Sequence, residues 1–216
     1  MKQTLKIAVL CTFILMSLVG VKEAGSETID FQEMETAMLK EMNLARTTPQ
    51  SYASHLKEMR KYFHGKELRR PGGLPILTNE GVSALTEAIR FMEKATPVPK
   101  LRLSVGMSRG ARDQVEVQGS TGSVGHGSAE GNRPHERIGL YGSWEKTVGE
   151  NIAYGYAHAR DAILSFIIDD GVPNRGHRRN ILNPNFRVVG IACGPHPAYH
   201  TMCVIIFAGG YREKKD

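Results

Sequence analysis

Arg175-Gly176-His177-Arg178-Arg179-Asn180-Ile181-Leu182-Asn183-Pro184 runs straight into Asn185-Phe186-Arg187-Val188-Val189-Gly190-Ile191-Ala192-Cys193, and this junction decides the fold. A basic turn presents a histidine beside glycine. The pattern then changes to β-branched and apolar residues, which predicts a strand over 187–193. A second run of the same kind covers 202–208, close enough to pair with the first as an antiparallel hairpin. Upstream of the junction the spacing is helical. Helices followed by strands that pair locally predict an α+β layered domain rather than a doubly wound parallel sheet.

The helical part can be read in order. Phe31, Met34, Met38, Met42 and Ala45 recur every three or four residues and predict a helix over 30–47, with Thr28 or Asp30 as its cap. Thr48-Pro49 ends it. A weaker helix follows over 50–63, with Tyr52, Leu56 and Met59 on one side. Residues 64–75 form a basic loop containing Gly72-Gly73. Val82, Leu85, Ala88, Ile89 and Met92 make the buried stripe of a helix over 78–94, with Asn79 as candidate cap. Another helix spans 104–118, where Gly106 and Gly110 lower the propensity and read as points of close packing. Residues 119–133 are a Gly/Ser-rich loop carrying His126. Helical character returns over 134–139 and over 158–170, the latter with Ala162, Ile163, Phe166 and Ile167 facing inward.

Two further segments join His177 as candidates for chemistry: Gly125-His126-Gly127 and Gly149-Glu150-Asn151-Ile152-Ala153. Scattered histidines and a carboxylate, each beside glycine, are the material of a metal or acid-base site. Neutral imidazole is the form that binds metal or accepts a proton. Glu150 lies at the edge of an apolar segment and needs a partner there. Asp169 and Asp170 close the 158–170 helix, where acids oppose the macrodipole, and Arg175 is the natural group to offset them. Arg137 and Asn151 read as supports of the site. There is no Ser-His-Asp order and no G-x-S-x-G turn, so covalent catalysis has no evident nucleophile.

The first residues read as an export signal over 1–24. Lys2 and Lys6 precede an apolar run of about 15 residues, 7–21, which is short for a bilayer span. Gly20 and Ala24 are the candidate cleavage positions. An uncleaved anchor is the other reading of this segment. Residues 25–216 then form a single domain, secreted or periplasmic. Loss of three lysines and one glutamate with residues 1–24 lowers the formal charge from +6 to +4, too mild to suggest a nucleic-acid binder. Cys193 and Cys203 remain. In an exported chain they read first as a disulfide clamping the ends of a hairpin. Cys193-x2-His196-x3-His200-x2-Cys203 could instead bind zinc, and free thiols are the third possibility.

Taken together, Met42-Asn43-Leu44-Ala45-Arg46, Gly125-His126, Gly149-Glu150-Asn151-Ile152 and Gly176-His177-Arg178-Arg179-Asn180-Ile181-Leu182-Asn183-Pro184, followed by Val189-Gly190-Ile191, resemble the CAP superfamily. That group includes cysteine-rich secretory proteins, antigen 5 and plant pathogenesis-related proteins, and the likeness is greatest to its bacterial-type secreted members. It extends over about 30–208. It implies an α-β-α sandwich with a cleft lined by two histidines and two acidic residues. His126, Glu150 and His177 match three of these. The fourth is usually a glutamate three residues after a tryptophan. Here Phe166 takes the aromatic place and Asp169, a methylene shorter, the acidic one, with Asp170 as substitute. For His126 and His177 the resemblance implies zinc binding, with Glu150 or Asp169 as general base if the site hydrolyses. Family members also resemble binders of sterols, other lipids or proteins, so the likeness implies no single activity.

The resulting expectation is an exported, monomeric domain whose cleft binds a ligand or divalent cation. Its partner would be a lipid, a cell-wall component or a protein, not nucleic acid, with no membrane span after signal removal. A metal-dependent, peptidase-like hydrolase is the first alternative. A lipid-binding module is the second, its groove formed by the methionine-bearing helices of 30–63.

Overall fold

The computed structural model describes residues 29–71, 75–127 and 133–215. The export signal expected over 1–24 and the Gly72-Gly73 pair lie outside the described residues. In chain order the elements are α1 Phe31–Thr47, α2 Pro49–Met59, a 3-10 turn at Arg60–Tyr62, β1 Phe63–His64, β2 Glu67–Leu68, β3 Ile76–Leu77, α3 Val82–Lys94, β4 Arg102–Leu103, α4 Val105–Thr121, α5 Pro134–Gly139, β5 Gly142–Tyr154, α6 Ala159–Ile168, α7 Gly176–Ile181, β6 Val188–His196 and β7 His200–Glu213. A four-stranded sheet in the order β4-β6-β7-β5 stands at the centre. β5, β7 and β6 are antiparallel, and two-residue β4 joins β6 in parallel. A separate small sheet has the order β1-β2-β3.

The sheet is covered on both faces, which is why β6 and β7 read as almost unbroken apolar runs. Val189, Ile191, Cys193, Cys203, Ile205 and Phe207 point toward α1, α2, α3, α6 and α7. Val188, Ala192, Val204, Ile206 and Ala208 point the other way, toward Met107, Ala111 and Val115 of α4 and Ile138 of α5. This is the expected α-β-α sandwich. Gly190 lets α4 approach the sheet, because a methyl group there would stand 2.1 Å from the main-chain carbon of Met107. Gly106 and Gly110 are close-packed as expected, against Tyr211 and Glu213 and against Ile138 respectively.

Several expectations need correction. β5 was not anticipated as a strand. A bulge between Glu145 and Val148, with Lys146 at φ 69°, breaks the alternation that would have revealed it. The third helix begins at Val82, not Thr78, because the N–H groups of Asn79, Glu80 and Gly81 are held by the Asp170 carboxylate. Met34, Met38, Met42 and Met59 are core residues between 0% and 6% exposed, and Met34 also borders a surface cavity beside Asp30, Glu33, Ala37 and Arg160.

Cys193 and Cys203 are directly opposite across β6 and β7 and form a disulfide, as expected, with Cα atoms 4.1 Å apart. The alternative zinc set fails with it. His196 is buried on β6, its Nε2 3.1 Å from the Ser123 carbonyl. His200 begins the next strand, exposed and with φ 66°.

Two buried anchors hold the segments that frame the site. Arg46 of α1 is fully buried, and its guanidinium donates to the carbonyls of Pro99, Ile181, Asn183 and Phe186. Burial lowers it to about 10. Neighbouring Asn43 exchanges hydrogen bonds with both main-chain groups of Leu101, at 3.1 Å and 2.7 Å.

Candidate functional site

Glu150 projects from β5 with its side chain only 2% exposed. A buried carboxylate is tolerated only when paired and hydrogen-bonded. One oxygen pairs with Arg137 of α5, itself buried, and the other lies 2.9 Å from His126 Nδ1. Arg137 also donates to the Gly110 and His126 carbonyls. The loop carrying His126 is fixed from α4. Gln114 donates to the carbonyls of Gly125 and Gly127, and Gln118 to that of Gly125 at 2.7 Å. Tyr154 completes the support: its hydroxyl donates to Gln118 and accepts from the Gly125 N–H.

Asp169 ends α6 in the left-handed conformation, φ 53°, which aspartate tolerates better than most residues. From there its carboxylate meets the start of α7. One oxygen accepts the His177 main-chain N–H at 2.8 Å, and the other is 2.7 Å from His177 Nδ1. Asp169 therefore supplies the cap that α7 lacks locally, at the end where the dipole favours a negative charge. This replaces the expectation that Arg175 offsets both acids. Arg175 donates to the Asp169 and Val172 carbonyls and pairs with Glu87 and with Glu80, which it holds at about 2 together with the Gly171 N–H. Asp170 turns away to the loop before α3. Phe166 packs on the His177 ring with centroids 5.2 Å apart. Asn151 donates to the His177 carbonyl at 3.0 Å and accepts from Asn180, whose amide also reaches the Glu150 carbonyl.

The four expected residues thus form two histidine–carboxylate pairs. His126, Glu150 and His177 line one cleft of about 750 Å³, with Phe91, Arg179 and Asn180 also on its wall. Asp169 stands behind His177. An ionised carboxylate only accepts hydrogen bonds, so each Nδ1 carries a proton, and in a neutral ring Nε2 would keep its lone pair. Neither Nε2 has a hydrogen bond among the described residues. The His126 imidazole is held above its ordinary value of 6.5, chiefly by the hydrogen bond to Glu150. Among the described residues no three of His, Cys, Asp and Glu converge as a metal-ligand set. The donor chemistry instead fits two imidazoles backed by carboxylates, the usual outer-shell arrangement of a histidine ligand.

Sequence reading missed Gln114 and Gln118. Their signal was available: two glutamines four residues apart on the inward face of α4, where apolar residues belong. Asn151, read as a support of the site, reaches His177 and Asn180, partners 26 and 29 residues away.

A layered α-β-α domain that presents two carboxylate-backed histidines in one cleft is the class that the motifs already resembled. The model of the cysteine-rich secretory protein family, CAP, matches residues 41–207, and the chain belongs to that family. It is similar to the uncharacterized protein YkwD of Bacillus subtilis (strain 168), 30% identical over 110 residues. That match covers 51% of this chain and 40% of the relative. Among solved structures, it is similar to an extracellular protein containing an SCP domain from Bacillus anthracis. There the identity is 19% and the TM-score 0.42, over 51% of this chain and 34% of that one. An outer surface protein from Borrelia burgdorferi gives 16% and 0.44, over 54% and 80%.

Proposed function

We propose that this is an exported binding protein whose cleft takes a divalent cation, zinc by the borderline softness of imidazole, through Nε2 of His126 and His177. The observation that carries the reading is the pairing of each Nδ1 with a buried carboxylate, which leaves the other ring nitrogen of both histidines available at one cleft. Export is supported by the lysine-led apolar run at 7–21 and by the disulfide, which belongs to an oxidising compartment. Among the described residues no helix is long and apolar enough to cross a membrane.

A bound zinc would supply Lewis acidity and acidify a water ligand. The chain's own residues orient the imidazoles: Glu150 and Arg137 fix His126, and Asp169 and Asn151 fix His177. The hydrolase alternative would draw its base from Glu150 or Asp169, whose carboxylates already serve to orient the two histidines. Both oxygens of Glu150 are engaged, as are both of Asp169. Binding is therefore the better-supported reading.

Calorimetric titration with zinc tests it, beside a His126→Ala/His177→Ala variant whose fold is checked by circular dichroism. One zinc per chain is expected, weakened at least ~100-fold in the variant, or about 2.8 kcal/mol. No binding, or binding that survives in the folded variant, overturns the proposal.

A further inference from the structure

The cleft continues beyond His177. A second cavity of about 350 Å³ shares His177 and Val172 with the first and is bounded also by Phe166, Tyr154, Ile152 and Leu77. The first lobe mixes the two histidines, Glu150 and Arg179 with apolar residues, whereas the second has the larger apolar share. Two strand edges border the second lobe. β5 is an outer strand of the central sheet, and β3 an outer strand of the small one.

The ladder pattern says which main-chain groups those edges offer. The Gly155 N–H donates to the Thr201 carbonyl, so residues 151, 153 and 155 turn their main-chain groups toward β7. Glu150, Ile152 and Tyr154 therefore turn theirs outward. Asn180 donates to the outward Glu150 carbonyl at 3.2 Å and occupies the edge there. No described residue takes up the outward N–H and C=O of Ile152. On the small sheet, Thr78 N–H bonds the Lys66 carbonyl, so Leu77 is the outward residue of β3. Leu77 is 81% exposed and Ile76 51%. Asn151-Ile152-Ala153-Tyr154 contains neither charge nor proline, the residues that usually blunt a strand edge, and Ile152, 8% exposed, borders the second lobe.

We propose that this second lobe binds an extended peptide segment. The segment lies along the free edge of β5, pairs through its main chain with Ile152, and seats an apolar side chain among Tyr154, Phe166 and Leu77. Its polar end reaches His177 and the first lobe. A lipid tail could cover the same apolar walls, but it would leave the Ile152 N–H and C=O without partners, and a peptide satisfies both. The proposal deepens the reading of the cleft as a binding site and rests on it.

The test uses fluorescein-labelled, N-acetylated hexapeptides that alternate threonine with valine, isoleucine, leucine or phenylalanine, titrated with the disulfide-bonded protein and followed by anisotropy. At least one peptide is expected to saturate below about 100 μM. N-methylation of its alternate amides should weaken it at least tenfold, and so should Leu77→Glu in a variant with an unchanged circular dichroism spectrum. The proposal is overturned if no peptide saturates below about 1 mM, or if the N-methylated peptide binds as well as its parent. Palmitate that displaces a peptide insensitive to N-methylation would identify a lipid site instead. Zinc calorimetry on the same sample separates the two readings. Zinc without peptide overturns this inference alone, and peptide without zinc overturns the cation reading alone.

Discussion

Glu150 and His126 form a contact whose strength depends on pH. Because the folded imidazole titrates above its ordinary 6.5, the contact stabilises the fold fully below that pH and loses its effect as pH rises through the folded value. The histidine side chain is 56% exposed, so solvent screens the effect. Thermal melts of the wild type and His126→Gln between about pH 5 and 8 should show the widest gap at the acid end and a narrowing above 6.5. A gap constant over that range would contradict the assignment. Zinc binding should run the opposite way, weakening as protons compete for the same ring. At this scale the glycine-flanked histidines and the buried acid were legible, because those residue types are rarely neutral choices beside apolar segments. The glutamines under His126 stand out as two polar residues four apart on α4, but which loop they hold depends on contacts made only in the fold.

The elements owe their placement to a few close approaches. Gly190→Ala would drive a methyl group into the main chain of α4 and should destabilise the protein by about 1–3 kcal/mol or more, read from urea denaturation. Gly139→Ala is the control, since nothing lies within 4 Å of that position, and should stay within about 0.5 kcal/mol. Equal effects at both sites would mean that helix and sheet can part without cost. α1 and α6 could be read from apolar spacing, and α1 also from its cap Asp30, whereas the cap of α4, Ser104, emerges only in the fold. β5 could not, since its bulge and polar first half hide the period of two. Nor could β4, whose two residues are too few to carry a pattern.

For the whole molecule, periodicity alone gave the layered α+β class, since apolar strands follow a long helical region. Which faces meet was fixed by contacts remote in sequence, such as Arg46 with residues 181–186. The disulfide closes a loop of sequence separation 10 at the hairpin end, so Cys193→Ser/Cys203→Ser should cost about 2–3 kcal/mol. Matched denaturation curves with and without dithiothreitol check this, and the double variant should not respond to the reductant. The adjacent pair Asp169 and Asp170 has a further consequence. One carboxylate grips the imidazole of the cleft, and the next grips the turn that carries β3 into α3. The histidine and the rim strand therefore share one fulcrum. A ligand that pulls on either lobe therefore loads the same two-residue junction.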